Sequence, residues 1–175
     1  PIQIPISVGG VRPDVLAGFQ AHFEARGFGP VIPGGGPSGS QNADRGTAPV
    51  KLYAGGPIAG LLTEGDILMA GIGTVTWVHG NRFLAFGHPF RGSGESPLLV
   101  SNAHILTTVA SRSGSWKMGQ ATFPVGRLTD DRLHAIGGTM GAFPPMVPIR
   151  VFMDMAGPRR EHDARPVVSF RTIRE

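Results

Sequence analysis

Five consecutive residues, Phe86-Gly87-His88-Pro89-Phe90, carry the side chain best suited to proton transfer in this sequence. They leave a strand-like run, Phe83-Leu84-Ala85-Phe86, and enter a Gly/Ser-rich loop, Arg91-Gly92-Ser93-Gly94-Glu95-Ser96. An imidazole is the side chain whose charge changes near neutral pH. Placed at a strand exit, with a small residue before it and a rigid Pro after it, His88 is positioned to serve as a general base at a cleft edge. The plainer reading is a loop histidine packed between Phe86 and Phe90, and pattern alone favours it. A base needs a nucleophile and an orienting group. Ser93 and Ser96 are near in sequence, but neither sits in a Gly-x-Ser-x-Gly elbow. Asp66, Asp130 and Asp131 are available as orienting carboxylates, and each is equally well explained as a turn residue.

Other chemistries fit less well. His79, His88, His104 and His134 share no recognised metal-ligand spacing, so no metal site and no cofactor is expected. With no cysteine, thiolate zinc sites, disulfides and a cysteine nucleophile are excluded, and the redox compartment stays open. Gly34-Gly35-Gly36 lacks the Lys-Ser/Thr ending and the following helix of a phosphate-binding loop. The net charge is +4 and the pI is about 10.6. Arg159, Arg160, Arg165, Arg171 and Arg174 gather near the end but are diluted by Glu161, Asp163 and Glu175. They read as a solvated tail or a charged strand face rather than a nucleic-acid surface, which would cluster bases and aromatics.

The elements that must position His88 are short strands. Gly (27) and Pro (16) make up about a quarter of the 175 residues, which excludes a helical bundle. Apolar residues at 41% and charged ones at 16% allow a core. Residues 2–8 alternate as a strand, pushed to a sheet edge by Pro5. Pro13 starts a helix over about 13–26, with Val15, Leu16, Phe19 and Phe23 on its apolar face and Gly27 as its stop. His22 is then an exposed helix residue. Residues 29–49 read as a flexible Gly/Pro-rich linker or loop. A short strand is expected at 50–54, and 57–66 form an apolar patch closed by a turn. Residues 67–78 and 83–86 form a hairpin around His79-Gly80-Asn81-Arg82. Residues 98–110 are a strand or short helix, 115–125 and 131–137 flank a turn at 129–131, and 146–155 and 166–173 alternate as strands.

Two of these pieces together carry a family resemblance. Gly71-Ile72-Gly73-Thr74-Val75-Thr76-Trp77-Val78, a turn, and then Phe83-Leu84-Ala85-Phe86-Gly87-His88-Pro89-Phe90 resemble the SpoIVB-type serine peptidases. That family's signature is a Gly-Thr-Val-Thr strand followed by Gly-His. Residues 58–66 and 125–138 are similar as well, so the likeness covers the second half to two-thirds of the chain. The resemblance implies a trypsin-like β-barrel-type arrangement, so that with the helix expected over about 13–26 the chain reads as a mostly β domain with one N-terminal helix. It also implies His88 as catalytic general base, a polypeptide substrate and an extracytoplasmic location. The family's serine lies in a Gly-Met-Ser-Gly-Ser-Pro motif that is absent here, and the catalytic carboxylate cannot be carried over.

The expected organisation is an edge strand plus helix over 1–28, a linker over 29–49, and a β domain bearing the Gly-His motif over 50–175. The chain begins at Pro1 without an initiator Met and is expected to be a piece of something longer. It would supply the base, while the serine comes from a segment or chain not in this sequence. The alternative is a non-catalytic β module of peptidase ancestry, binding partner strands at edges near Pro5 and at 166–173. No apolar run is long enough to span a bilayer as a helix, and no signal-peptide pattern opens the chain.

Overall fold

Alternation of apolar residues over short stretches, cut by Gly and Pro, gives a mostly β molecule, seen in a computed structural model that describes residues 4–34, 51–110, 115–152 and 167–173. In chain order the elements are β1 (Ile6–Gly9), α1 (Pro13–Ala17), α2 (Gln20–Glu24), β2 (Val31–Pro33), β3 (Pro57–Gly65) and β4 (Leu68–His79). They are followed by β5 (Arg82–Ala85), β6 (Gly94–Glu95), β7 (Leu99–Val109), β8 (Trp116–Arg132), β9 (Ala135–Met140), β10 (Met146–Phe152) and β11 (Val167–Ile173). The strands form one mixed sheet in which β1–β2 is parallel and the other pairings are antiparallel. Pairings run β3–β4–β5–β9–β8–β7 and return to β3, so each of these six strands has a partner on both sides.

The core follows from the two-residue period. Ile58, Leu62, Val75, Phe83, Val100, Leu128 and Ile136 bury one face together with Ile6 and Val8 of β1. Ala59, Leu61, Leu68, Ala70, Leu99, Ala103 and Ala121 form a second cluster. Successive residues of β3 serve the two clusters in turn, which is why that strand reads as an unbroken apolar run rather than an alternating one.

Several expectations are corrected. The helix over 13–26 is two five-residue helices, interrupted at Gly18-Phe19, and Val15 and Phe19 are exposed. Gly interrupts the periodic stretch, and only Leu16 is fully buried from it. Gly27 does stop the second helix, in a left-handed conformation. Val31–Pro33, read as part of a linker, is a strand because it extends the sheet beside β1; residues 35–49 of that linker lie outside the described residues. Residues 51–54 form no strand. The turn expected at 129–131 lies at Leu133-His134, so β8 runs unbroken through Asp130 and Asp131. The two segments expected as edges are internal: β1 lies between β2 and β4, and β11 between β10 and β3. Among the described residues the strand order ends at β2 and β10, with β6 paired to β8 off that path. The hairpin of 67–86 and the strands at 98–110, 146–155 and 166–173 form nearly as read, with the arginines of 159–165 and Arg174 outside the described residues. Among the described residues no helix is long and apolar enough to cross a membrane.

Candidate functional site

His88 lies three residues beyond the end of β5, half-buried, on a sharp reversal. Phe86 still continues the ladder, donating its N–H to the Thr74 carbonyl at 2.8 Å. It then adopts φ +70°, and Gly87 follows with the same angle. A left-handed Phe costs about 1–2 kcal/mol, so something nearby must hold it. The holder is the floor of β4. Gly71 and Gly73 lie two residues apart, on one face of that strand, and present bare backbone there. The Phe86 ring covers Gly73 so closely that a Cβ on the glycine would sit 2.7 Å from it. The Phe90 ring covers Gly71, where a Cβ would sit 2.5 Å away, and also Gly60 of β3. The two rings meet edge to face at 5.8 Å, and Phe86 meets the His88 ring edge to face at 5.6 Å. His88 is thus carried on an aromatic bracket set into a glycine-lined strand.

Hydrogen bonds fix what the bracket leaves free. His88 Nδ1 lies 2.9 Å from the Pro89 carbonyl oxygen. A carbonyl only accepts, so this bond places the proton on Nδ1. In the neutral ring the lone pair is then on Nε2. The loop after Pro89 is tied down by Asp131, which is 1% exposed. Its Oδ1 accepts from the Phe90 N–H at 2.7 Å, and its Oδ2 from the N–H groups of Arg91 (2.7 Å), Gly92 (2.8 Å) and Ser93 (3.2 Å). The Ser93 hydroxyl donates to Oδ2 as well, at 3.2 Å. Four successive N–H groups make a concave anion site, filled here by the chain's own carboxylate.

The structure brings together only part of the expected constellation. The described residues give the His88 ring no hydrogen bond besides that to Pro89. Ser93 is engaged with Asp131 rather than with His88. Ser96 is buried and lines a depression of about 320 Å³ with Asp130, Arg127 and Glu95, in which His88 has no part. Asp130 points to the other side of β8 from Asp131. The Arg132 guanidinium and then the Thr129 hydroxyl hold its carboxyl below the usual carboxylate range. Asp66 belongs to the β3–β4 turn, packed beside Gly10. The other histidines among the described residues serve local packing or solvent: His79 stacks on Trp77 at 5.7 Å, and His22, His104 and His134 are exposed. Among the described residues, no three His, Asp or Glu side chains converge as metal ligands.

Sequence reasoning missed the Pro89 carbonyl as the orienting group and the role of Asp131. Spacing offers Asp131 only as one of three candidate orienting carboxylates, each equally well explained as a turn residue, whereas it is a buried strand residue that binds the loop about 40 residues earlier in the chain. The signal for it was the Gly-Ser loop itself, whose small residues allow consecutive N–H groups to converge on one anion. No family model, curated protein or solved structure matches the chain.

Proposed function

We propose that this chain is the histidine-bearing part of a SpoIVB-like serine endopeptidase, with His88 as general base for a serine supplied by another segment or chain. The observation that carries this reading is the Nδ1–Pro89 carbonyl bond, which leaves Nε2 as the lone-pair nitrogen of a half-buried ring. In the reaction, Nε2 takes the proton of the serine hydroxyl as its oxygen attacks the peptide carbonyl. The same proton then passes to the leaving amine as the tetrahedral adduct collapses. Six strands paired on both sides support the further reading of a trypsin-like β-barrel. The family implied by the motif works on polypeptides outside the cytoplasm, and the same substrate class and location are proposed here.

A second reading, a non-catalytic binding module, is favoured by one observation. Neither a serine nor a carboxylate is hydrogen-bonded to His88 among the described residues. In that case β10, the end of the strand order among the described residues, with Val147, Val151 and Phe152 exposed, is the surface for a partner strand. The product of the complete reading frame distinguishes the two. Peptide cleavage or self-processing should fall by about 10²–10⁴-fold in His88→Gln, and fluorophosphonate labelling of a serine should fall with it. Unchanged cleavage in His88→Gln removes His88 from the mechanism. A reading frame without a reactive serine leaves the binding module standing.

A further inference from the structure

We propose that Asp131 is the positioning residue for His88, acting through the single peptide unit Pro89–Phe90. The meaning for catalysis rests on His88 being the base; the linkage itself does not. Both bonds belong to one planar amide. Its C=O accepts from His88 Nδ1 at 2.9 Å, and its N–H donates to Asp131 Oδ1 at 2.7 Å. In a trans peptide these two groups point in opposite directions from the same rigid plane. Carboxylate and imidazole therefore lie on opposite sides of it, and rotating the plane breaks both contacts together.

Two effects follow. The first is geometric. Three further N–H groups and the Ser93 hydroxyl fasten the loop to the same buried carboxylate, so the plane of Pro89–Phe90 is held from the side away from the ring. The second is electrostatic. An anion accepting from the amide N–H polarises that amide, and its carbonyl becomes a stronger acceptor for the next bond in the chain. The Nδ1–H tautomer is favoured on both counts. Asp131 does for His88, one peptide removed, what a directly bonded carboxylate does in a serine-histidine-aspartate arrangement.

The substitution that isolates this is Asp131→Asn, which keeps the shape and removes the charge. One amide oxygen can accept from Phe90 or from the Arg91–Ser93 group, while the NH₂ faces donors on the other side and cannot accept. The readout is the ring tautomer, measured by ¹⁵N NMR on protein selectively labelled at histidine. In the wild type the Nδ1–H form should dominate. In Asp131→Asn its ratio to the Nε2–H form should fall about tenfold, the equivalent of one ordinary hydrogen bond. Ser93→Ala, which removes only the hydroxyl contact, should leave the ratio unchanged. A carboxylate that merely braced the fold would lower stability without moving the tautomer, and that result overturns the proposal.

Should Asp131→Asn not fold, the wild type decides alone. Scalar couplings are then expected across both hydrogen bonds, from His88 Nδ1 to the Pro89 carbonyl carbon and from the Phe90 nitrogen to the Asp131 carboxyl carbon. Absence of either, or a wild-type ring in the Nε2–H form, overturns the linkage. Failure of the peptidase reading is separate: His88→Gln would then leave cleavage unchanged while the tautomer results stand.

Discussion

Replacing Gly73 by Ala should destabilise the protein only while the Phe86 ring is present. A Cβ built on Gly73 lies 2.7 Å from Cδ2 and Cε2 of that ring and 2.8 Å from Cγ. Ordinary carbon contacts begin near 3.4 Å, so the overlap spreads over the ring face. Cγ is bonded directly to Cβ, so spinning the ring about its own axis gives no relief; the whole side chain must move. It cannot move freely, because Phe90 and His88 flank it at 5.8 and 5.6 Å and its backbone is committed to φ +70°. Overpacking of this kind costs about 1–3 kcal/mol. Replacing a strand glycine by alanine returns about 0.5–1 kcal/mol of backbone entropy. The net for Gly73→Ala is a loss of up to about 2.5 kcal/mol. In a Phe86→Ala background the clash disappears and the same substitution should be neutral or stabilising by about 0.5–1 kcal/mol. A double-mutant cycle measured by urea unfolding, with Trp77 and Trp116 as fluorescent reporters, should thus return a coupling of about 1–3 kcal/mol. An equal effect of Gly73→Ala in both backgrounds, within about 0.5 kcal/mol, would refute the idea that the glycine exists to seat the ring.

Two further outcomes probe the frame and its charges. Gly138 of β9 lies between the Arg127 carbonyl oxygen and the fully buried Phe83 ring, with Phe83 Cζ 2.5 Å from where a Cβ would be. Backbone cannot yield there, so Gly138→Ala should cost about 3 kcal/mol or more and lower the melting temperature by roughly 6–12 °C; a change under about 2 °C would mean that β8 and β9 are not packed this closely. Asp130 has its carboxyl lowered by Arg132 and then Thr129, so its contribution is present above the unfolded carboxyl value of about 3.9 and disappears as pH falls through the lower folded value. The pair is largely exposed, so the contribution is well under about 1 kcal/mol. Arg132→Ala should therefore lower stability slightly at pH 7, by well under about 1 kcal/mol, and leave it unchanged at pH 2, which flattens the acid limb of a stability-versus-pH curve. An equal loss at pH 2 and pH 7 would contradict that assignment.

How much of this was legible in the residues depended on how local the cause was. The β4–β5 hairpin was readable because its reversal is local: Gly80 takes φ +58° between two runs of strand-forming residues. The strand within 146–155 carried its own alternation, whereas 98–110, an apolar and Thr-rich run, fitted a strand or a short helix until its pairing with β3 and β8 made it a strand. The helix was overdrawn because a three-to-four spacing of Val15, Leu16, Phe19 and Phe23 does not say whether a core lies beneath; only Leu16 found one in full. The edges were misplaced because Pro5 marks a position where an N–H is missing, not where a neighbour is missing. Asp131 was misread for the opposite reason. An aspartate is a poor strand residue on its own, and what stabilises it in β8 is a loop about 40 residues earlier in the chain.

The histidine could be singled out from sequence, but the reason for the residues around it could not. Gly71 and Gly73, on one side of the hairpin turn, and Phe86 and Phe90, on the other, are a single packing unit: two bare positions on β4 and the two rings that cover them. Changing either half spoils the other, so a glycine-bearing strand and an aromatic-flanked Gly-His segment make physical sense only as a pair. The same packing explains the left-handed Phe86. Its backbone turns at that residue while its ring lies over Gly73, and two residues further on His88 is half-buried with Nδ1 at the Pro89 carbonyl. Backbone strain, ring seating and imidazole presentation are thus one arrangement. Loss of the aromatic floor should therefore disturb His88 even though none of those residues hydrogen-bonds to it.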